Sequence, residues 1–183
     1  VAGALIQALQ SVVARNVAPL ESAVVTIGEI HGGGAFNVIP ETVMLRGTTR
    51  WFDPAIGDTV EQAMRRIVHA TAEAYGASAE LVYDRMYPAT INDEAATDPA
   101  RRAAEAVAGS RAVAELAQPT MGGEDFSFML NAKQGSYIML GSARREDEPQ
   151  LHHPLYDFND DLLPVGASYW ATLAEQLLPR KAT

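Results

Sequence analysis

Cysteine is missing from the 183-residue chain. That absence excludes a disulfide framework, a thiolate nucleophile and a thiolate metal site within it. A surplus of positive charge is missing too. Lys and Arg number 14 against 23 Asp and Glu, for a formal net charge of −9. Such a balance argues against binding a nucleic-acid backbone or an anionic membrane surface, because both need a basic patch. No apolar run approaches the length of a membrane span, and no N-terminal segment has the build of a signal peptide. Internal repeats and low-complexity tracts are absent as well. What remains is ordinary globular composition, 48% hydrophobic and 20% charged, suited to one or two domains. The expectation is a soluble, cytoplasmic protein with no nucleic-acid or membrane partner. The chain opens on Val1 with a helix-like run already under way, which reads as a piece of something longer.

Periodicity gives the organisation. Leu5, Leu9, Val12 and Val13 recur at helical spacing, and this first helix should fade between Asn16 and Pro19. Ala23 to Ile30 reads as a strand. After a loop from His31 to Pro40, a second strand carries Val43, Leu45, Gly47, Thr49 and Trp51 on one face. Met44, Arg46, Thr48 and Arg50 fall on the other face. Asp53 or Asp58 can cap a long helix that ends near Tyr75-Gly76, with Ala63, Ile67, Ala70 and Ala74 as its apolar stripe. Ser78 to Arg85 alternates as a third strand.

Helix, hairpin, helix and strand describe a ferredoxin-like open-faced α/β sandwich that is one strand short, and a strand just before Val1 would complete it. Tyr87 to Asp93 has the Pro and Asn/Asp content of a crossing between domains. Beyond it, Asp98 can cap a helix to about Ala108, and Gly135 to Leu140 reads as a short buried strand. Asp161 to Leu178 reads as a closing helix with Leu162, Val165, Tyr169, Leu173 and Leu177 inward.

Three motifs carry chemistry. The first is His31-Gly-Gly-Gly-Ala-Phe-Asn-Val-Ile-Pro40, followed by Arg50. An amide at Asn37 and a guanidinium at Arg50, held by one hairpin, form a candidate grip for a carboxylate, with Arg binding it bidentately. Glycines here permit close backbone approach, and an ordinary Gly-rich hairpin connection is the competing reading. The second motif is Met121-Gly122-Gly123-Glu124-Asp125-Phe126. Its glycines and acids form a loop-to-helix junction whose backbone N–H groups can hold an anion or a polarised oxygen. The plainer account is that the acids only complement a helix dipole. The third is His152-His153-Pro154, with Tyr156-Asp157-Phe158-Asn159-Asp160-Asp161 behind it. Adjacent histidines point different ways, so at most one ligates a given metal, and the downstream acids are candidate partners to orient an imidazole.

Taken together, these motifs and Leu163-Pro-Val-Gly resemble the aminoacylase and carboxypeptidase-G-like metallohydrolases. The similarity is greatest to the amidohydrolases of the hippurate hydrolase and indole-acetyl-amino-acid hydrolase type. The likeness runs through essentially the whole chain, in order, but matches only the C-terminal half of enzymes about twice this length. It implies a lid, or dimerisation, domain over residues 1–89 and the C-terminal part of an α/β metal-binding hydrolase domain over residues 90–183.

The resemblance also implies a reaction, hydrolysis of the amide bond of N-acyl amino acids assisted by two divalent ions, zinc or manganese. Most of the metal ligands and the general base of such enzymes lie upstream of the part this chain matches. By its position two residues before Pro154, His152 corresponds to the C-terminal metal ligand. His153 stands where relatives carry a small polar residue. Asn37 and Arg50 would hold the substrate carboxylate from a partner subunit of a homodimer, with His31 close by, and Gly122, Gly123 and Glu124 would line the cleft. His69 matches nothing functional. No catalytic residue is assigned within this chain, which is expected to be inactive alone and to bind metal weakly. The competing class is a non-catalytic dimerisation or carboxylate-binding module.

Overall fold

The structure is a computed structural model and describes residues 1–178, so the last five residues of the expected second domain lie outside it. The described chain separates into two compact units. The first is Val1–Ala89 together with Thr120–Glu124, and the second is Thr90–Pro119 with the chain from Asp125 onwards.

The first unit begins with helix α1 (Ala2–Asn16), whose Leu5, Leu9 and Val12 are buried. Strands β1 (Ala23–His31) and β2 (Met44–Trp51) form an antiparallel hairpin, the whole of the sheet among the described residues. Helix α2 (Pro54–Ala74) follows, with Asp53 at its N-cap accepting from the Ala55 amide and Pro54 at the first helical position. Proline there has no amide hydrogen to waste and a preset φ, so the start of α2 is strongly specified. Leu5, Leu9, Val12, Val25, Val60, Ala63, Met64 and Val68 make one core against the inner face of the hairpin. Full burial of Val12 or Val60 is worth about 1.5–3 kcal/mol each. The buried stripe of α2 is Val60, Ala63, Met64, Val68 and Ala72. It retains Ala63 and the half-buried Ile67 of the expected stripe, but Ala70 and Ala74 are exposed. The small alanines gave no basis for setting the rotation of the C-terminal half of this helix.

The hairpin ladder pairs Val25 with Thr49 and Ile27 with Gly47 on the inner face, then slips at Gly28 and pairs Glu29 with Arg46. Gly47 is required at this ladder: a Cβ there would lie 2.1 Å from the Thr26 carbonyl oxygen. The bulge at Gly28 changes which face the odd-numbered residues occupy. Glu29 and His31 thereby join Met44, Arg46, Thr48 and Arg50 on the exposed face, where Glu29 lies 3.4 Å from His31 and 3.7 Å from Arg46.

No third strand forms over Ser78–Arg85. Ala79, Leu81 and Tyr83 do alternate toward the core, so the period-2 pattern was read correctly. No backbone ladder accompanies it among the described residues. Side chains hold the segment instead. Arg65 donates to the Leu81 carbonyl, Tyr83 and Thr49 share a hydroxyl hydrogen bond of 2.7 Å, and Arg85 reaches Asp58 and Glu61.

In the second unit, helix α3 (Glu94–Ala108) starts five residues earlier than Pro99 suggests. Asp93 is its cap rather than Asp98, accepting from the Ala96 amide. Asp98 lies inside the helix and pairs with Arg102. Pro99 is tolerated near the N-terminus because only one backbone bond, to the Ala95 carbonyl, is forgone. Helix α4 (Phe126–Ala132) and helix α5 (Leu163–Leu177) complete the unit. Ala100, Ala103 and Tyr169 are buried where α3 and α5 pack. Burial raises the pKa of the Tyr169 hydroxyl. Leu162, Val165 and Leu173 are half-buried as expected, whereas Leu177 is exposed.

The strand expected over Gly135–Leu140 is also absent, and Ile138, Met139 and Leu140 are exposed rather than buried. A side chain stands in for a neighbouring strand. The Asn92 amide donates to the Tyr137 carbonyl and accepts from the Tyr137 N–H, and the Asp93 N–H donates to the Gly135 carbonyl.

Glu61 joins α2 to the 78–85 segment by receiving both Arg65 and Arg85. The Arg65 bond, then the Arg85 bond, hold its carboxyl below the ordinary value near 4.5. A depressed folded-state pKa gives stability that is present above the unfolded value and lost as pH falls through the folded one. Glu61→Gln should therefore cost about 1 kcal/mol at neutral pH. Urea denaturation should show that difference shrinking at pH 3, and an equal loss at both pH values would dismiss the ion pairs as its source.

Candidate functional site

The candidate residues form two separate groups, one in each unit, with His31 and Asn37 outside both. In the first unit, the end of β2 and the Met-Gly-Gly-Glu segment come together. Arg50 lies on the exposed face of the hairpin, and its Nη1 donates to the Met121 carbonyl at 2.6 Å. Arg46, Arg65, Arg85, Arg101, Arg102, Arg144 and Arg145 each meet a carboxylate. Arg50 Nη1 instead meets a neutral oxygen, as Arg66 does on Asn16 Oδ1. Charge-assisted N–H···O bonds of this kind are short and directional, and the guanidinium still has donors to spend. Gly122 and Gly123 are exposed and Glu124 is half-buried, with Tyr87 against Gly123. The loop-to-helix junction expected from the sequence is present, since α4 begins at Phe126 directly after Asp125.

His31 and Asn37 are placed elsewhere in the hairpin. His31 ends β1 opposite Met44, while Arg50 pairs with Val24 six residues farther along β2. At a rise of about 3.3 Å per residue, that separates Arg50 from the mouth of the glycine loop by about 20 Å. Asn37 lies in a turn closed by the Val38 N–H on the Ala35 carbonyl, and it is exposed, as are Phe36, Val38 and Ile39 beside it. A loop folded back along the sheet would bury these apolar side chains. Within one copy of the chain the amide and the guanidinium therefore do not meet.

The second unit holds the histidine cluster. His152 is exposed and has φ of 71°, the one non-glycine residue with positive φ among those described. Left-handed backbone strains a side chain with a Cβ, and such strain gathers at functional positions. His153 is engaged locally, its Nδ1 accepting from the Leu155 N–H at 3.1 Å. That bond favours the tautomer with hydrogen on Nε2 and ties the ring to its own turn.

The acids downstream do not orient His152. Asp157 instead faces Arg144, which also donates to the Phe158 carbonyl, and Asn159 caps the turn at Asp161. Beside this turn lies a cleft of about 490 Å³ lined by Leu140, Ser142, Leu151, Tyr156, Phe158 and Leu163 among others. Tyr156 and Ser142 share a hydroxyl contact of 3.3 Å there.

Among the described residues no three His, Cys, Asp or Glu side chains are grouped to hold a cation. One solvent-facing imidazole does not make a two-metal centre, so the residues described do not fit that group by themselves. His69 is exposed on α2, as expected of a residue without a role. Sequence reasoning missed Tyr87, which had been read only as part of the crossing between domains. The Tyr-Pro pair was its one visible signal.

A family model for the peptidase family M20/M25/M40 matches residues 3–176. The chain belongs to that family. It is 36% identical over 177 residues to a hippurate hydrolase of Campylobacter jejuni, covering 97% of this chain and 45% of that protein. An N-acetylcysteine deacetylase of Bacillus subtilis is 35% identical over 173 residues, covering 94% of this chain and 44% of the relative. The solved structure of a Bacillus subtilis dinuclear metal binding peptidase from the M20 family superposes with a TM-score of 0.72 at 29% identity. That match covers 98% of this chain and 45% of the other. The chain thus spans a little under half the length of these relatives. No helix among the described residues is long and apolar enough to cross a membrane.

The strain at His152 is testable without any activity. His152→Gly should leave stability unchanged or raise it by up to about 1 kcal/mol, since glycine accepts this φ freely. His152→Ala should be less stable than the glycine variant. A clear loss in His152→Gly, read by chemical denaturation, would mean that the imidazole packs and that the strain has a structural purpose.

Proposed function

We propose that the protein carrying this chain is a metal-dependent amidohydrolase that cleaves the amide bond of N-acyl amino acids, and that this chain supplies recognition of the free carboxylate. The observation that carries the reading is Arg50, an exposed guanidinium held by the neutral Met121 carbonyl beside Gly122, Gly123 and Glu124. The names of the relatives, a hippurate hydrolase and an N-acetylcysteine deacetylase, support acylated amino acids as the substrate class. Metal dependence, with zinc or manganese, comes to the reading from the family. His152 is the donor that this chain offers, and its strained backbone favours it over His153.

The ladder register, which sets Arg50 and His31 at opposite ends of the hairpin, supports a divided carboxylate grip. We assign Arg50 to the site of its own subunit, beside the Met121–Glu124 segment that belongs to the same compact unit. Asn37, in the glycine loop beyond the far end of the hairpin, reaches the site of a second subunit in a homodimer formed through the first unit. His31 lies at Asn37's end of the hairpin and goes with it. This departs from placing both residues in trans, because Arg50 already has a partner in its own chain.

The full-length protein should hydrolyse N-benzoylglycine, and the isolated 183-residue chain should not. Turnover by the isolated chain that a chelator abolishes would reverse this assignment. In the full-length protein, Arg50→Ala should remove a charge-assisted contact of about 1.5–3 kcal/mol, or roughly ten- to a hundredfold in kcat/KM. Masking the substrate carboxylate as an amide should erase most of that difference.

The division of labour has its own test. Neither Asn37→Ala nor Arg50→Ala dimers should be fully active, but mixing the two subunits should recover one working site per heterodimer. If the two residues serve the same site, both in cis or both in trans, each site lacks one of them and mixing recovers nothing.

A further inference from the structure

The Met121–Glu124 segment shows how Arg50 is aimed. Arg50 uses Nη1 on the Met121 carbonyl, at 2.6 Å. A guanidinium binds a carboxylate best through two parallel N–H bonds, and the edge formed by Nε and Nη2 remains for that purpose. A carbonyl partner orients the group without neutralising it, as an Asp or Glu in the same place would. The carbonyl must itself be fixed for this to work, and two glycines follow it, which gives the backbone wide freedom.

Tyr87 takes that freedom away. A Cβ built on Gly123 would lie 3.3 Å from Tyr87 Cδ2 and 3.9 Å from Cγ, so the ring edge rests against the Gly123 backbone where no side chain stands between them. The base of the ring is stiff as well, because Pro88 confines Tyr87 to extended backbone. Tyr87 belongs to the same compact unit as Arg50 and Met121. We propose that Tyr87 is a positioning residue: its ring backs Gly123, Gly123 holds the Met121 carbonyl, and the carbonyl turns the open edge of Arg50 toward the carboxylate of an N-acyl amino acid. This rests on the carboxylate role assigned to Arg50 above.

Hydrogen exchange on the full-length protein without substrate tests the mechanical half. In Tyr87→Ala, exchange of the amides in 120–124 should accelerate about tenfold, the equivalent of one lost anchoring contact. Tyr87→Phe keeps the ring and should exchange like the wild type. Unchanged exchange in Tyr87→Ala, or a phenylalanine variant as fast as the alanine one, would overturn the proposal, the latter by shifting the role to the hydroxyl.

Kinetics test the functional half. Tyr87→Ala should raise KM for N-benzoylglycine about three- to tenfold, with kcat within about twofold, and leave KM for N-benzoylglycinamide alone. An equal rise for both compounds would mark a merely structural residue and refute the aiming of Arg50. If the wild type turns over neither compound, the activity assignment falls. The exchange result alone then decides whether Tyr87 fixes the segment.

Discussion

The register of one two-stranded ladder governs the geometry of the first unit. Pairing Val25 with Thr49 and Ile27 with Gly47 sets which side chains meet α1 and α2. The same ladder sets where everything on the opposite face stands. Arg50 falls at the end nearest the start of α2, while His31 and the glycine loop fall at the other end. Backbone hydrogen bonding, rather than any property of the polar side chains, determines that these groups stand at opposite ends of the hairpin. Antiparallel pairing has no intermediate registers, since a slip of one residue exchanges the two faces.

The two units are stabilised in different ways. The first has a continuous apolar core of aliphatic side chains from two helices and a hairpin. The second buries little beyond Ala100, Ala103, Ser127 and Tyr169, and leaves Ile138, Met139, Leu140, Phe158 and Trp170 exposed. Side chains take over work that sheets do elsewhere: Asn92 reads the backbone of Tyr137, and Arg144 gathers Glu148, Asp157 and the Phe158 carbonyl. Such bonds order a backbone locally, but they bury little apolar area.

The elements legible in the sequence were those with strong local signals. Asp53-Pro54 announced α2, the alternation of Leu45, Thr49 and Trp51 announced the inner face of β2, and Leu5, Leu9 and Val12 announced the buried stripe of α1. The failures share a cause. Over 78–85 and 135–140 the alternation or apolar run was real, but a strand also needs a neighbour to bond, and periodicity carries no information about partners. Pro99 misleads in the opposite direction: proline marks helix starts so often that Asp98 reads as the cap, whereas Asp93 takes that place with bonds reaching to Gln134 and Gly135. At the candidate site, the motifs single out Arg50, Gly123 and His152 as candidates. They were silent on the Met121 carbonyl, the Tyr87 ring and the twisted backbone of His152, because those are facts of three-dimensional neighbourhood.

The bulge at Gly28 limits how this hairpin can change in length. By letting one residue drop out of the pairing, it turns Glu29 and His31 outward although they share odd parity with the inward Val25 and Ile27. Removing Gly28 itself would restore regular pleating and leave Glu29 and His31 facing outward opposite Arg46 and Met44. The glycine loop beyond can vary freely in length without touching the core. The strand that leads to it can lose a residue only at the bulge, since a slip of one residue elsewhere exchanges its faces.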